Sequence, residues 1–166
     1  MAISIEQPPT LNPLITYTDK IPEERWGKKN AEKFIQLLKK FYIDTKYQDF
    51  FKQNEKLYKI STEKFLPVYN KLDVKWYEKF YGKEPKEKFV IVNGLGNGGG
   101  NYGPNIEFSN GDKTVYAIMG TWRIDSLGFP DYEIEEYLPT LLHEFNHSFV
   151  NYLTEKNRLQ LKKVVK

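Results

Sequence analysis

The stretch LPTLLHEFNHSFVNYL, residues 138–153, holds both histidines of the chain, His143 and His147, with Glu144 directly after the first. Leu138, Leu141, Leu142, Phe145 and Phe149 recur around them at helical spacing, so the stretch predicts an amphipathic helix. Residues four apart lie one above the other on a helix. Two imidazoles placed in this way reach a single Zn2+ at about 2.0–2.1 Å. Glu144 is turned by about 100° from His143, which suits it to hold a water beside the metal rather than to ligate the ion. The spacing therefore designates His143 and His147 as metal ligands and Glu144 as a general base that takes a proton from water and passes it to a leaving amine. The apolar flanks predict a helix buried under a domain with its polar groups turned into a cleft; an exposed helix with a chance histidine pair would not need them.

The 166 residues suit one domain with a real core, preceded by a short extension. Hydrophobic residues make up 40% and aromatic residues 16%, which excludes a disordered chain. The net charge of +3 leaves 25 basic against 22 acidic residues, so nothing demands a nucleic-acid partner and none is expected. Cysteine is absent, which removes disulfides, thiolate metal sites and cysteine nucleophiles. The first twenty residues lack a basic start followed by an apolar run, so no signal peptide is read there. A periplasmic or secreted location stays compatible with the composition. No run of apolar residues is long enough for a membrane span. The oligomeric state is not fixed by the sequence.

Residues 1–27 carry Pro8, Pro9, Pro13 and Pro22 and read as an extended segment wrapped on the domain of 28–166. Phe34, Leu37, Leu38 and Phe41 then follow the i, i+3, i+4, i+7 pattern of an amphipathic helix. Tyr47, Phe50, Phe51 and Leu57 continue it. Phe65, Leu66, Tyr69 and Leu72 make a shorter element interrupted at Pro67, and Asp73 caps a last helix through Trp76, Tyr77 and Phe80 that Gly82 ends. The aromatic stripes read as core packing, the lysines between them as a solvated face. The second half changes character. KFVIVNGL (88–95), NIEFS (105–109) and KTVYAIMGTW (113–122) read as strands, with Asn110-Gly111 turning a hairpin between the last two. The final helix is placed from about Pro139, since proline is accepted in a first turn. The expected fold class is thus α+β: N-terminal helices, a small mixed or antiparallel sheet, and the HExxH helix.

NGLGNGGGNYGP (93–104) contains a G-x-G-x-x-G at Gly94, Gly96 and Gly99 directly after a strand. A dinucleotide site needs a helix to open there, and a P-loop needs Lys-Ser/Thr after the glycines. Strand-like sequence follows instead. The run reads either as a surface loop or as a loop beside an active site, where glycine lets backbone approach closely.

NYGPNIEF (101–108), YAIMG (116–120) and LLHEFNHSFVN (141–151), in this order, resemble a family of bacterial domains of unknown function, DUF4932, and more broadly the zincin metallopeptidases. The resemblance covers roughly residues 28–152. It implies a mixed sheet above the active-site helix with Zn2+ between them, and peptide or protein substrates. It further implies that the strand carrying Tyr116, Ala117, Ile118, Met119 and Gly120 is the edge strand on which an extended peptide docks by strand addition. A catalytically inactive relative, keeping the fold as a peptide-binding module, is the alternative.

A catalytic zinc site commonly has three protein ligands, and the sequence leaves the third open. No histidine occupies the metzincin position after His147. Glu155 is the acidic residue that follows it; were the helix to end at Asn151 with Thr154 capping a second, Glu155 would enter that second helix in its first turn. Asp131, Glu133, Glu135 and Glu136 are upstream alternatives. A ligand beyond Lys166 is the preferred reading, because LKKVVK reads as mid-helix. Tyr102 and Tyr116 are candidate oxyanion donors or packing residues, and Asn151 either orients a ligand or ends the helix.

Overall fold

The structure is a computed structural model that describes residues 1–82 and 84–164, with the side chains at 152, 155 and 164 outside the described residues. Six helices and three strands follow one another as α1 (Gly27–Asp44), α2 (Tyr47–Gln53), α3 (Glu55–Lys71), α4 (Lys75–Tyr81), β1 (Lys88–Gly94), β2 (Asn105–Glu107), β3 (Lys113–Gly120), α5 (Ile134–Lys156) and α6 (Arg158–Val164). The fold class is α+β. No described helix is long and apolar enough to cross a membrane.

The chain divides into two compact units, Met1–Tyr58 with Ile106–Asp112, and Lys59–Asn105 with Lys113–Lys166. In the first unit the proline-rich segment contributes Ile5, Leu11 and Tyr17 to a small core with Ala31 and Ile35 of α1. The buried face of α1 is rotated from the expected stripe. Phe34 and Leu38 pack against that core, whereas Leu37 and Phe41 stay exposed, because Ala31 lets the segment approach one side of the helix. Phe41 meets Tyr47 instead, and Tyr47 stacks on Phe50. In the 106–112 turn Gly111 has φ 84°, Asn110 Oδ1 accepts the Asp112 amide at 3.0 Å, and the Phe108 carbonyl accepts the Gly111 amide at 2.9 Å. The hairpin falls where Asn110-Gly111 predicts it, with Gly111 alone as its left-handed residue.

The second unit holds the main core: Phe65 and Val68 of α3, Tyr77 of α4, Val115, Ala117 and Met119 of β3, Tyr132, and Tyr137, Leu141 and Phe145 of α5. Each large apolar side chain fully buried there stabilises the fold by about 1.5–3 kcal/mol. Helix α3 runs through Pro67 without interruption, contrary to the expected break, since Ser61, Phe65 and Val68 bury one continuous stripe that outweighs a single missing amide bond. Asp73 Oδ1 accepts the Lys75 amide at 3.0 Å at the start of α4, and Gly82 closes that helix at φ 70°.

The sheet is three-stranded and mixed, in the order β1-β3-β2. β1 lies parallel to β3, from Lys88 beside Thr114 to Gly94 beside Gly120. On the other flank of β3, Tyr102 and Ile118 exchange antiparallel backbone bonds at 3.0 and 2.8 Å, and the Tyr116 amide donates to the Pro104 carbonyl at 2.9 Å. β3 is therefore the central strand. Tyr116, Ala117, Ile118, Met119 and Gly120 pair with β1 along one side, and on the other side Tyr116 and Ile118 are bonded by Pro104 and Tyr102 while the Asn101 side chain accepts the Gly120 amide, so this strand is not the edge strand that the resemblance implies. The exposed backbone edge on that flank belongs to residues 101–105.

Candidate metal centre

Helix α5 begins at Ile134, a turn before the expected start at Pro139. Glu135 and Glu136 occupy its first turn, where carboxylates complement the positive end of the helix. Tyr137, Leu141 and Phe145 recur every four residues and are fully buried. They press the helix onto the β3 face that carries Val115, Ala117 and Met119. Phe89 of β1 meets Phe145 with ring centroids 5.0 Å apart. From the other side Tyr77 donates to the Leu142 carbonyl at 3.5 Å and Tyr81 to Asn146 Oδ1 at 3.1 Å. Burial pushes both phenols above their ordinary range, so they remain donors. Packing thus fixes α5 along its length and sets which residues it turns outward.

Those residues include the histidines. His143 is exposed, His147 is half-exposed, and Glu144, at the boundary with the core, is buried at 6% exposure. The two rings meet edge to face with centroids 4.7 Å apart. His147 Nε2 lies 3.9 Å from Glu144 Oε2, and His147 Nδ1 lies 3.3 Å from Asn151 Oδ1. One ligand atom from each of His143, Glu144 and His147 falls within 4.8 Å of the others. Two imidazole nitrogens on a tetrahedral zinc sit about 3.4 Å apart, given bonds of about 2.1 Å. The two imidazoles are near enough for both to reach one ion, so the donor set is of a kind that could hold a metal. Among the described residues these three form the one such group of histidine and carboxylate side chains.

The upstream acidic residues are engaged elsewhere. Asp131, Glu133 and Glu136 converge on the Arg123 guanidinium at 3.2, 2.7 and 3.2 Å, and Glu135 is exposed in the first turn of α5. None joins the histidine group, which corrects them as third-ligand candidates. The expected helix break at Asn151 is also absent: α5 continues to Lys156. Glu155 therefore shares the helix with His147, and its backbone lies about 12 Å further along the axis at about 1.5 Å per residue. Its side chain lies outside the described residues.

The glycine run folds over the ends of β1 and β3. A Cβ on Gly120 would fall 2.3 Å from the Gly98 carbonyl oxygen and 2.6 Å from that of Gly100. Asn101 Oδ1 accepts the Gly120 amide at 2.9 Å. No helix opens after Gly99; the chain passes straight to the bridge at Tyr102, so the phosphate cradle of a dinucleotide site is not formed. One residue later the run meets helix α5. A Cβ on Gly103 would fall 1.8 Å from the Glu144 carbonyl oxygen: backbone rests on backbone at the residue named as general base. Tyr102 and Pro104 spend their backbone groups on β3, and Gly103 between them makes no backbone hydrogen bond among the described residues. Alternation along the strand turns its peptide group toward the open edge.

Tyr102, beside Gly103, is 58% exposed. Tyr116 alternates with Val115 and Ala117 and so lies on the sheet face away from α5, which removes it as an oxyanion donor to this site. Gly103 and Asn93 were not evident from the sequence. Asn93 Oδ1, at the end of β1, is buried with no hydrogen-bond partner among the described residues. The order N-Y-G-P held the signal for Gly103, since a glycine inside a strand marks a close approach.

No curated protein and no solved structure matches the chain. The family described as Domain of unknown function (DUF4932) matches residues 15–166, a longer span than 28–152 that takes in half of the proline-rich segment. The chain belongs to the DUF4932 family.

Proposed function

We propose that this domain is a zinc-dependent peptidase in which His143 and His147 hold the ion and Glu144 is the general base. The observation that carries the reading is the convergence of these three side chains within 4.8 Å on one helix, with Glu144 buried and the histidines turned outward. A bound zinc ion supplies Lewis-acid polarisation of a carbonyl and acidifies a coordinated water. Glu144, with a carboxylate oxygen 3.9 Å from His147 Nε2, takes a proton from the attacking water and delivers it to the leaving amine. The free edge at 101–105 suits an extended peptide. Backbone pairing at Gly103 would orient such a chain alongside Glu144.

The test is zinc analysis of the purified chain after loading and dialysis, paired with cleavage of an unfolded protein substrate. One zinc per chain is expected, lost in His143→Ala and in His147→Ala. Glu144→Gln is expected to keep the ion and to lose about 10²–10⁴-fold in cleavage rate. Zinc uptake that survives both histidine substitutions would refute the reading. Zinc uptake without cleavage, unchanged by Glu144→Gln, would favour the peptide-binding module.

A further inference from the structure

We propose that Asn151 is a positioning residue for the metal centre: its side-chain oxygen accepts the Nδ1–H of His147 and so holds that imidazole in the tautomer whose Nε2 lone pair is free for a metal. The inference rests on the metal reading above and adds to it the residue that prepares one ligand. Three observations support it. Asn151 stands one helical step beyond His147, as His147 stands beyond His143, and helical side chains lean toward the N-terminus. Its amide therefore reaches back over the ring, and Oδ1 lies 3.3 Å from Nδ1. The opposite ring nitrogen, Nε2, is the one turned to Glu144, at 3.9 Å. Donation from Nδ1 and ligation through Nε2 are therefore one orientation of the same ring.

The third observation is the helix itself. Asparagine is a weak helix former that favours ends and caps. At position 151 it neither caps nor terminates, because α5 runs on to Lys156. What its side chain does there is contact His147. A neutral amide also suits the place. It fixes the ring without adding a second carboxylate beside Glu144, so the net charge of a dication, two neutral imidazoles and one carboxylate is left unchanged. Second-sphere acceptors of this kind fix the tautomer and orientation of metal-binding histidines.

The experiment reads the imidazole directly, in the metal-free full chain, by nitrogen and carbon NMR shifts of the two histidines at alkaline pH. The expected result is an Nδ1–H tautomer at His147, lost in Asn151→Leu and retained in Asn151→Asp, with the His143 signals unmoved. In zinc titrations Asn151→Leu is expected to weaken affinity by about 10–100-fold and Asn151→Asp to restore it. Leucine is a better helix former than asparagine, so helicity by circular dichroism should not fall. A His147 tautomer that is the same in the leucine variant as in the parent overturns the proposal, as does zinc affinity equal in all three chains. A parent chain that takes up no zinc removes the metal reading alone, and the tautomer measurement still decides the role of Asn151.

Discussion

Gly103→Ala tests how the sheet positions Glu144, the general base we propose. An added Cβ would sit 1.8 Å from the Glu144 carbonyl oxygen and 2.7 Å from its carbonyl carbon. Real Cβ contacts do not fall below 3.0 Å, so strand and helix must part by at least about 1.2 Å. Neither can yield by turning a side chain, because both partners are backbone. Gly103 does not sit at positive φ, so the effect is a pure clash. Overpacking of this kind costs about 1–3 kcal/mol, and about 2–4 °C of melting temperature is lost per kcal/mol in a chain of this size. A fall of about 2–12 °C is therefore expected by differential scanning calorimetry. The metal should respond differently from the chemistry. His143, Glu144 and His147 ride on the same helix and move together, so zinc stoichiometry is expected to hold. Displacement of Glu144 from the 101–105 edge by about an ångström is expected to cost about 10²-fold in peptide cleavage. Gly96→Ala is the control, since a Cβ there meets nothing within 4 Å. If Gly103→Ala melts and cleaves like the parent, or Gly96→Ala falls as far, the close approach does not hold the site.

Other substitutions probe the scaffold. Pro67→Ala restores an amide donor inside α3 at an exposed position, and a rise in stability of about 1–3 kcal/mol is expected in urea denaturation; a fall would show that proline shapes the helix usefully. Phe145→Ala empties a fully buried position next to Glu144 and should cost about 3–5 kcal/mol by the same assay. The Asp125 carboxyl is held below its usual range first by the Lys64 ammonium, 2.7 Å away, and then by the Phe129 amide. A lowered folded value means that its stabilising contribution is present above the unfolded carboxyl value of about 3.9 and lost as pH falls through the folded one. Melting curves of the parent and Asp125→Asn should therefore differ at neutral pH and converge in acid; a constant difference would contradict the ion pair.

Much of α5 was legible because its information is local. The spacing of Leu141 and Phe145 fixes a buried face, and two histidines four apart fix an outer one, whatever the rest of the chain does. Its start is less legible, because Pro139 resembles a first-turn residue although Ile134 already begins the helix. The hairpin was legible for the same local reason, since Gly111 supplies the left-handed residue that the turn needs. Strand order was not. β1 pairs in parallel with β3 across the intervening glycine run and β2. Which flank of β3 it takes is decided by nonlocal burial, with Phe89 set against Phe145 and Phe149. Placing β1 there turns the strand of Tyr116 from an edge into the middle of the sheet.

That reversal moves the outer strand edge to residues that read from sequence as a loop. A strand that packs on α5 through its own edge residues must bring its backbone close to the helix. A side chain directed at the helix would hold the two apart. At Gly103 that side chain is missing, and the Glu144 carbonyl occupies the space where a Cβ would stand. Tyr102 and Pro104 supply the pairing to β3 that keeps Gly103 in register. Proline at 104 has no amide to pair and contributes its carbonyl to β3. The sequence N-Y-G-P thus combines a bond to the sheet, a contact with the helix and an open peptide group in three consecutive residues. The glycines upstream let the loop fold tightly enough to deliver them there.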